Sequence, residues 1–325
     1  MTPKTNAEAV KNLLDLLKLK KNGEDIFTGP INQEDWARVF GGQVIAQALL
    51  SACETIDDGR MPHSLHAYFI RPGRPELAID FNVSRDRDGK SFSVRRIAAS
   101  QNGGDGDKII LNMACSFQTP EDGLDYQKPM PKVASPDELQ NETTLYTQLF
   151  ENHPDLTGNI PERYKNHLLR PRAIEFRPIN QDRYVGTQST EAAQSFWFRL
   201  AAPLSKEDTN NQILQRAILA YTTDLMLLST CLLPHGIKFY DGRIQVASLD
   251  HALWFHEDIN LNEWHLYEQS SPWSGGGRGM NHGLIYKQDG KLVASVAQEA
   301  LIRMRKGQEN PAPSHIQSNI ISLLE

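Results

Sequence analysis

The chain has 325 residues, 39% of them hydrophobic and 23% charged, with a formal charge of -6. That composition fits a globular protein with room for one large or two medium domains and a substantial core. The acidic balance argues against nucleic acid as a main partner, since phosphate backbones need a basic surface; a small phosphorylated ligand needs only a local basic pocket.

Cys53, Cys115 and Cys231 lie in apolar surroundings with no CxxC pair. This points to reduced, buried thiols rather than a disulfide framework or a zinc site. In the first segment Ala9, Val10, Leu13, Leu14 and Leu17 recur at helical spacing, but lysines and an aspartate interrupt them, unlike a secretory signal. No apolar run is expected to approach the roughly 20 residues that span a bilayer. The last residues, Ser322 to Glu325, match no receptor-read tag. The expected location is the cytoplasm.

A weak internal repeat organises the rest. Its first copy runs from about Asp25 to Gln118: a short strand at Asp25–Phe27, a helix from Phe40 through Leu50, then strands over Ser64–Phe69, Leu77–Val83, Ser91–Ala99 and Lys108–Phe117. Residues 119–172, rich in Pro, Asp, Glu and Asn, read as a long connection with one short helix around Thr144–Phe150. The second copy opens with strands at Ala173–Arg177 and Ser195–Arg199, followed by a helix over Asn211–Leu233 capped by Thr209 or Asn210. Strands follow at Gln245–Phe255, Trp264–Gln269, Gly279–Lys287 and Lys291–Arg303, and then a polar tail, 306–325. Leu49–Cys53 aligns with Leu227–Cys231, and Lys108–Ile110 with Lys291–Val293. The expected architecture is therefore two α+β units, 1–118 and 173–305, each wrapping an antiparallel sheet around a helix and joined side by side.

Several long motifs occur in order. They are Arg38–Val44, His63–Gly73, Asp250–His256, Leu261–Trp264 and Gln288–Ser295. Over about Ala9 to Arg303 the chain resembles the acyl-CoA thioesterase II (TesB-like) family. The resemblance implies a double hotdog fold and hydrolysis of fatty acyl-CoA by a water held by an aspartate, a Thr or Ser hydroxyl and a glutamine. By motif these fall on Asp224, Ser248 and Gln298. It implies no metal or redox cofactor, and assembly into a homodimer or homotetramer. Rival functions are a hotdog acyl-CoA hydratase with an Asp/His pair and a non-catalytic acyl-CoA sensor.

The residues carry a reading of their own. At helical spacing Asp224 shares a stripe with Ala217, Ala220, Tyr221, Leu227, Leu228 and Cys231. A carboxylate there is either a base or a buried acid satisfied by its neighbours. The aligned position in the first copy is Ala46, so the helix does not need an acid to fold. Gln298 shares strand parity with Ala294, Val296, Ala300 and Ile302, and aligns with Cys115. Ser248 alone says little. Asp250 and His251 are adjacent on a strand and should face opposite sides. His63 and His66 lack a nucleophile motif, and no G-x-S-x-G elbow occurs. Gly41-Gly42 opens a helix, either to bring backbone N–H groups to a carbonyl oxygen or to pack the helix on the sheet. Arg278 and Gly279, closing the run from Gly275, are candidate CoA contacts or an ordinary loop; Arg71, Arg95, Arg96 and Arg303 are weaker phosphate candidates.

Overall fold

The computed structural model describes residues 3–31, 38–56, 59–157, 160–181, 191–237 and 243–305, which leaves the expected polar tail outside the described residues. Helix α1 (Asn6–Leu16) starts where Thr5 Oγ1 accepts the Glu8 N–H at 3.1 Å, and its apolar face buries Val10 and Leu13 in the core. Strands β1 (Lys20–Gly23) and β2 (Ile26–Gly29) precede helix α2 (Gly41–Cys53). The long strands β3 (Met61–Phe69), β4 (Ile79–Asp88), β5 (Phe92–Asn102) and β6 (Asp107–Gln118) complete the first half. Alternation decides the faces: Leu111, Met113, Cys115 and Phe117 of β6 point inward and are buried, while Asn112 and Ala114 point out. Helix α2 has no charged residue and is buried almost all round, as a helix enclosed by a sheet on one side and another helix on the other must be.

The connection is more helical than its composition suggests. It holds α3 (Glu142–Asn152), α4 (Pro154–Thr157) and α5 (Glu162–Leu169), with Asn141 Oδ1 capping α3 by accepting the Thr144 N–H at 2.8 Å. Before them, Met130, Val133 and Leu139 pack on Trp197, Leu266 and Tyr286 of the second half, and Trp197 Nε1 donates to the Ala134 carbonyl at 2.9 Å.

The second half comprises β7 (Ile174–Pro178), β8 (Ala193–Leu200), α6 (Lys206–Asn210), α7 (Gln212–Thr223), β9 (Ile244–Ser248), β10 (Asp250–Phe255), β11 (His265–Gly275), β12 (Arg278–Lys287) and β13 (Leu292–Met304). The expected strand over 245–255 is thus two strands. Both pair with β13, and the chain steps between them at Leu249, whose N–H donates to the Glu299 carbonyl at 2.9 Å. Strands β3 and β10 pair antiparallel with Leu65 opposite Leu253, both fully buried. This single seam merges the halves into one 13-stranded sheet, ordered β1-β2-β4-β5-β6-β3-β10-β13-β12-β11-β8-β7 with β9 beside β13. The double hotdog expectation holds: each half curves a sheet about a helix, and α2 packs on α7 inside.

One expected element is corrected. The helix does not run to Leu233: α7 stops at Thr223, Asp224 is its C-cap, Met226 takes a left-handed φ of 68°, and a 3-10 helix covers Leu228–His235. Taken together, Gln212–His235 is long and apolar enough to cross a membrane, which the sequence expectation missed, but 67% of its spanning window is buried inside the fold.

Candidate active site

Four elements converge where α7 breaks. Because α7 ends at Thr223, Asp224 stands at the helix terminus rather than within the apolar stripe, and its side chain turns toward the start of α2. There Gly42 N–H donates to Asp224 Oδ2 at 2.8 Å. From the sheet, Gln298 Nε2 donates to Asp224 Oδ1 at 2.6 Å and to Ser248 Oγ at 2.7 Å. Ser248 Oγ in turn donates to Asp224 Oδ1 at 3.3 Å. The sheet register explains the meeting: Ser248 is opposite Ala300, two residues along β13 from Gln298, so both side chains emerge on the inner face.

The electrostatics follow from the same contacts. Asp224 is 9% exposed and Gln298 is fully buried, so protein donors must replace water around the carboxylate. An amide, a hydroxyl and a backbone N–H do so. The first turn of α2 adds the partial positive charge of a helix N-terminus, typically about 0.3–1 kcal/mol and up to ~2 kcal/mol when partly buried. Gln298 spends both amide hydrogens on Asp224 and Ser248, and its Oε1 has no hydrogen-bond partner among the described residues. One acceptor therefore remains beside the carboxylate and hydroxyl, and a buried lone pair of this kind calls for a donor.

Glycine at the start of α2 is a steric requirement. A Cβ on Gly41 would lie 2.7 Å from Asp224 Oδ2 and 2.8 Å from Phe69 Cζ; one on Gly42 would lie 2.5 Å from the Tyr221 carbonyl oxygen. The sequence offered a carbonyl-binding role or helix-on-sheet packing. The structure adds a third reason, the close approach of α2 to α7 and to the carboxylate. Ala46 and Cys115, which align with Asp224 and Gln298, are buried and apolar in the first half.

Comparison with known proteins is decisive for the family. The sequence profile described as acyl-CoA thioesterase matches residues 168–301, and that of the acyl-CoA thioesterase N-terminal domain matches residues 32–118. The chain is 35% identical over 297 residues to acyl-CoA thioesterase 2 of Haemophilus influenzae, covering 91% of this chain and 99% of the relative. The chain belongs to the acyl-CoA thioesterase family. Its structure resembles the crystal structure of the acyl-CoA thioesterase II TesB2 from Mycobacterium marinum, with a TM-score of 0.71 and 35% identity, covering 92% of this chain and 100% of that one. A hot dog fold protein from Alicyclobacillus acidocaldarius, at 16% identity and a TM-score of 0.66 over 90% of this chain and 98% of that one, shares the fold.

In this thioesterase the other candidates fall outside the cluster or support it. Asp250 Oδ1 accepts the Glu299 N–H at 2.6 Å, whereas His251, fully buried on the opposite face, meets Thr223 Oγ1 at 3.0 Å. The two do not form an acid/base pair. Burial holds His251 below the usual imidazole range, against the pull of the Asp224 charge. His63 bonds Ser116 Oγ at 2.8 Å, and His66 sits edge-on to Trp254 with ring centres 5.1 Å apart. Of the weaker phosphate candidates, Arg95 is buried and bonded to Asp88 at 2.8 Å; Arg96 bonds Asp86, and Arg71 the Ile109 carbonyl. Arg278 is half exposed, pairs with Glu299 at 3.0 Å and lies 5.7 Å from the Trp273 ring centre. Gly279 is needed for packing, since a Cβ there would lie 2.6 Å from Cys231 Sγ. All three cysteines are free and buried; burial pushes Cys53 up to about 12.

Proposed function

We propose that this thioesterase hydrolyses fatty acyl-CoA by direct attack of a water that Asp224 deprotonates and that Ser248 and Gln298 orient. The observation that carries the reading is the convergence of these three side chains within 2.6–3.3 Å, at the mouth of α2, from three separate elements. In this mechanism the water oxygen bonds to the thioester carbon while its proton passes to Asp224. The carbonyl oxygen gains negative charge near the first turn of α2, where the partial positive charge of the helix N-terminus stabilises it. Collapse then breaks the C–S bond, Asp224 returns the proton to the CoA sulfur, and the acid leaves. Arg278 and Gly279 are assigned to the CoA side of the site, on the strength of a half-exposed cation on β12, the strand that also carries Asn281, the neighbour of Gln298 across the sheet.

The test is Asp224→Asn, which keeps shape and removes the base. General-base catalysis contributes about 10²–10⁴-fold, so thiol release should fall by that order while circular dichroism stays unchanged. Near-normal turnover by the folded variant removes Asp224 from the role. The same reading divides the chain into units 1–118 and 173–305 joined by 119–172. It also places the enzyme in the cytoplasm as a homodimer or homotetramer, for which the sheet edges β1 and β7 give a motive. A monomer in light scattering at micromolar concentration, or secretion of the full chain, contradicts these.

A further inference from the structure

The break after α7 is not marked by a helix-breaking residue. Between Thr223 and Leu233 there is neither glycine nor proline, and Leu225 to Leu228 are good helix formers. Yet Met226 adopts φ 68°, a left-handed conformation that ordinary side chains rarely enter. Such a backbone persists only where its surroundings over-determine it.

The surroundings here are two donors on neighbouring strands, one fully buried and one partly buried. Tyr267 Oη, from β11, donates to the Thr223 carbonyl at 2.9 Å, taking a carbonyl at the end of α7 that has no successor turn to bond. Gln194 Nε2, from β8, donates to the Met226 carbonyl at 3.1 Å and to Gln269 Oε1 at 2.7 Å, and Thr230 Oγ1 donates to the same Gln269 oxygen at 2.9 Å. Thus one strand residue fixes the carbonyl just before Asp224 and another the carbonyl two residues after it. Tyr267 is fully buried, and its ring fits because position 283 on β12 is glycine: a Cβ there would fall 2.3 Å from Tyr267 Cε2. Burial and the Asp224 charge both push the Tyr267 hydroxyl well above the usual phenol range, so it remains a donor.

We propose that Tyr267, seconded by Gln194, is a positioning residue: it clamps the turn at 223–226 so that the Asp224 carboxylate stays on Gly42, Ser248 and Gln298. The proposal rests on the reading of Asp224 as the base, and the test separates the two. In Tyr267→Phe only the hydroxyl is lost. Misplacing a catalytic group by about 1 Å costs up to roughly 10²-fold. The expected result is therefore a fall in kcat of about 10–100-fold, with KM within about two-fold and unchanged circular dichroism. Combined with Asp224→Asn, Tyr267→Phe should lower kcat no further, because it acts through the carboxylate. A folded Tyr267→Phe with kcat within two-fold of the parent, while Asp224→Asn is inactive, overturns the clamp and leaves the base assignment standing. So does an equal further fall in the Asp224→Asn background. Full activity in Asp224→Asn instead removes the base itself. Should Tyr267→Phe fail to fold, Gln194→Leu, which removes the strand's bond to the Met226 carbonyl and leaves it only the local bonds from Ser229, runs the same cycle with the same expected and overturning results.

Discussion

Gly41→Ala tests the fit of α2 against the carboxylate. The backbone at Gly41 is helical, so alanine is conformationally welcome there and gains up to ~1 kcal/mol of helix propensity. The obstacle is steric. The new methyl would sit 2.7 Å from Asp224 Oδ2, whereas ordinary contact begins near 3.4 Å, so something must give by about 0.7 Å. If the carboxylate gives, the 2.8 Å bond from Gly42 N–H lengthens to about 3.5 Å, the limit of a hydrogen bond. The same methyl would also lie 2.8 Å from Phe69 Cζ, so moving the carboxylate alone does not relieve the contact. Overpacking of this kind typically costs about 1–3 kcal/mol, so the net loss of stability is roughly 0–2 kcal/mol. A displacement of 0.7 Å at the base approaches the 1 Å that costs up to about 10²-fold in rate. Thiol-release kinetics should then show kcat reduced about 10–100-fold and KM little changed, in a protein that still melts cooperatively by circular dichroism. A folded Gly41→Ala enzyme with parental kcat would refute the argument that the carboxylate position is set by this contact.

The hydroxyl is tested by a pair of variants: Ser248→Thr should retain activity because it keeps the donor and acceptor, while Ser248→Ala should lose about ten-fold or more in kcat, and equal full activity in both would make the hydroxyl dispensable. Stability should fall on acidification through His265, which burial pushes from 6.5 down to about 4. Below pH 6.5 the unfolded chain takes up a proton that the folded imidazole refuses, so stability from this group is full above 6.5 and is lost as pH falls toward 4, by ~3 kcal/mol at most. The thermal midpoint of His265→Phe should depend less steeply on pH in that window; an unchanged slope would contradict the assignment.

The strand pattern was legible because burial follows parity: the alternation of Leu111, Met113, Cys115 and Phe117 with their neighbours marks an inner face by residue type alone. The candidate trio was legible through motif and through asymmetry between the halves, with Asp224 and Gln298 standing where the first copy has Ala46 and Cys115. The end of α7 was hidden. Propensity and apolar periodicity both carry the helix on through Leu225–Leu233, whereas bonds from strands some 30 to 45 positions away in sequence, Gln194 and Tyr267, hold its carbonyls at the break. Those two residues were missed for the same reason. The one local signal was polarity at inward positions, such as Gln194, Gln269 and Asn281 on strands otherwise lined by apolar side chains. The roles of Gly41 and Gly42 were equally non-local, since the atoms that exclude a side chain belong to Asp224, Phe69 and Tyr221.

The central claim is that water, deprotonated by Asp224, attacks the thioester directly. A single turnover in oxygen-18 water tests it, with the released acid and the Asp224 peptide weighed by mass spectrometry and thiol followed in the first turnover. If water attacks the substrate, one labelled oxygen enters the fatty acid, the peptide carries none, and thiol appears without a burst. If Asp224 attacks and forms an anhydride, thiol is released before hydrolysis, and water opening the protein carbonyl leaves the label on Asp224. An unlabelled peptide with no burst is the predicted result; label on that peptide, or a stoichiometric burst of thiol, would contradict it.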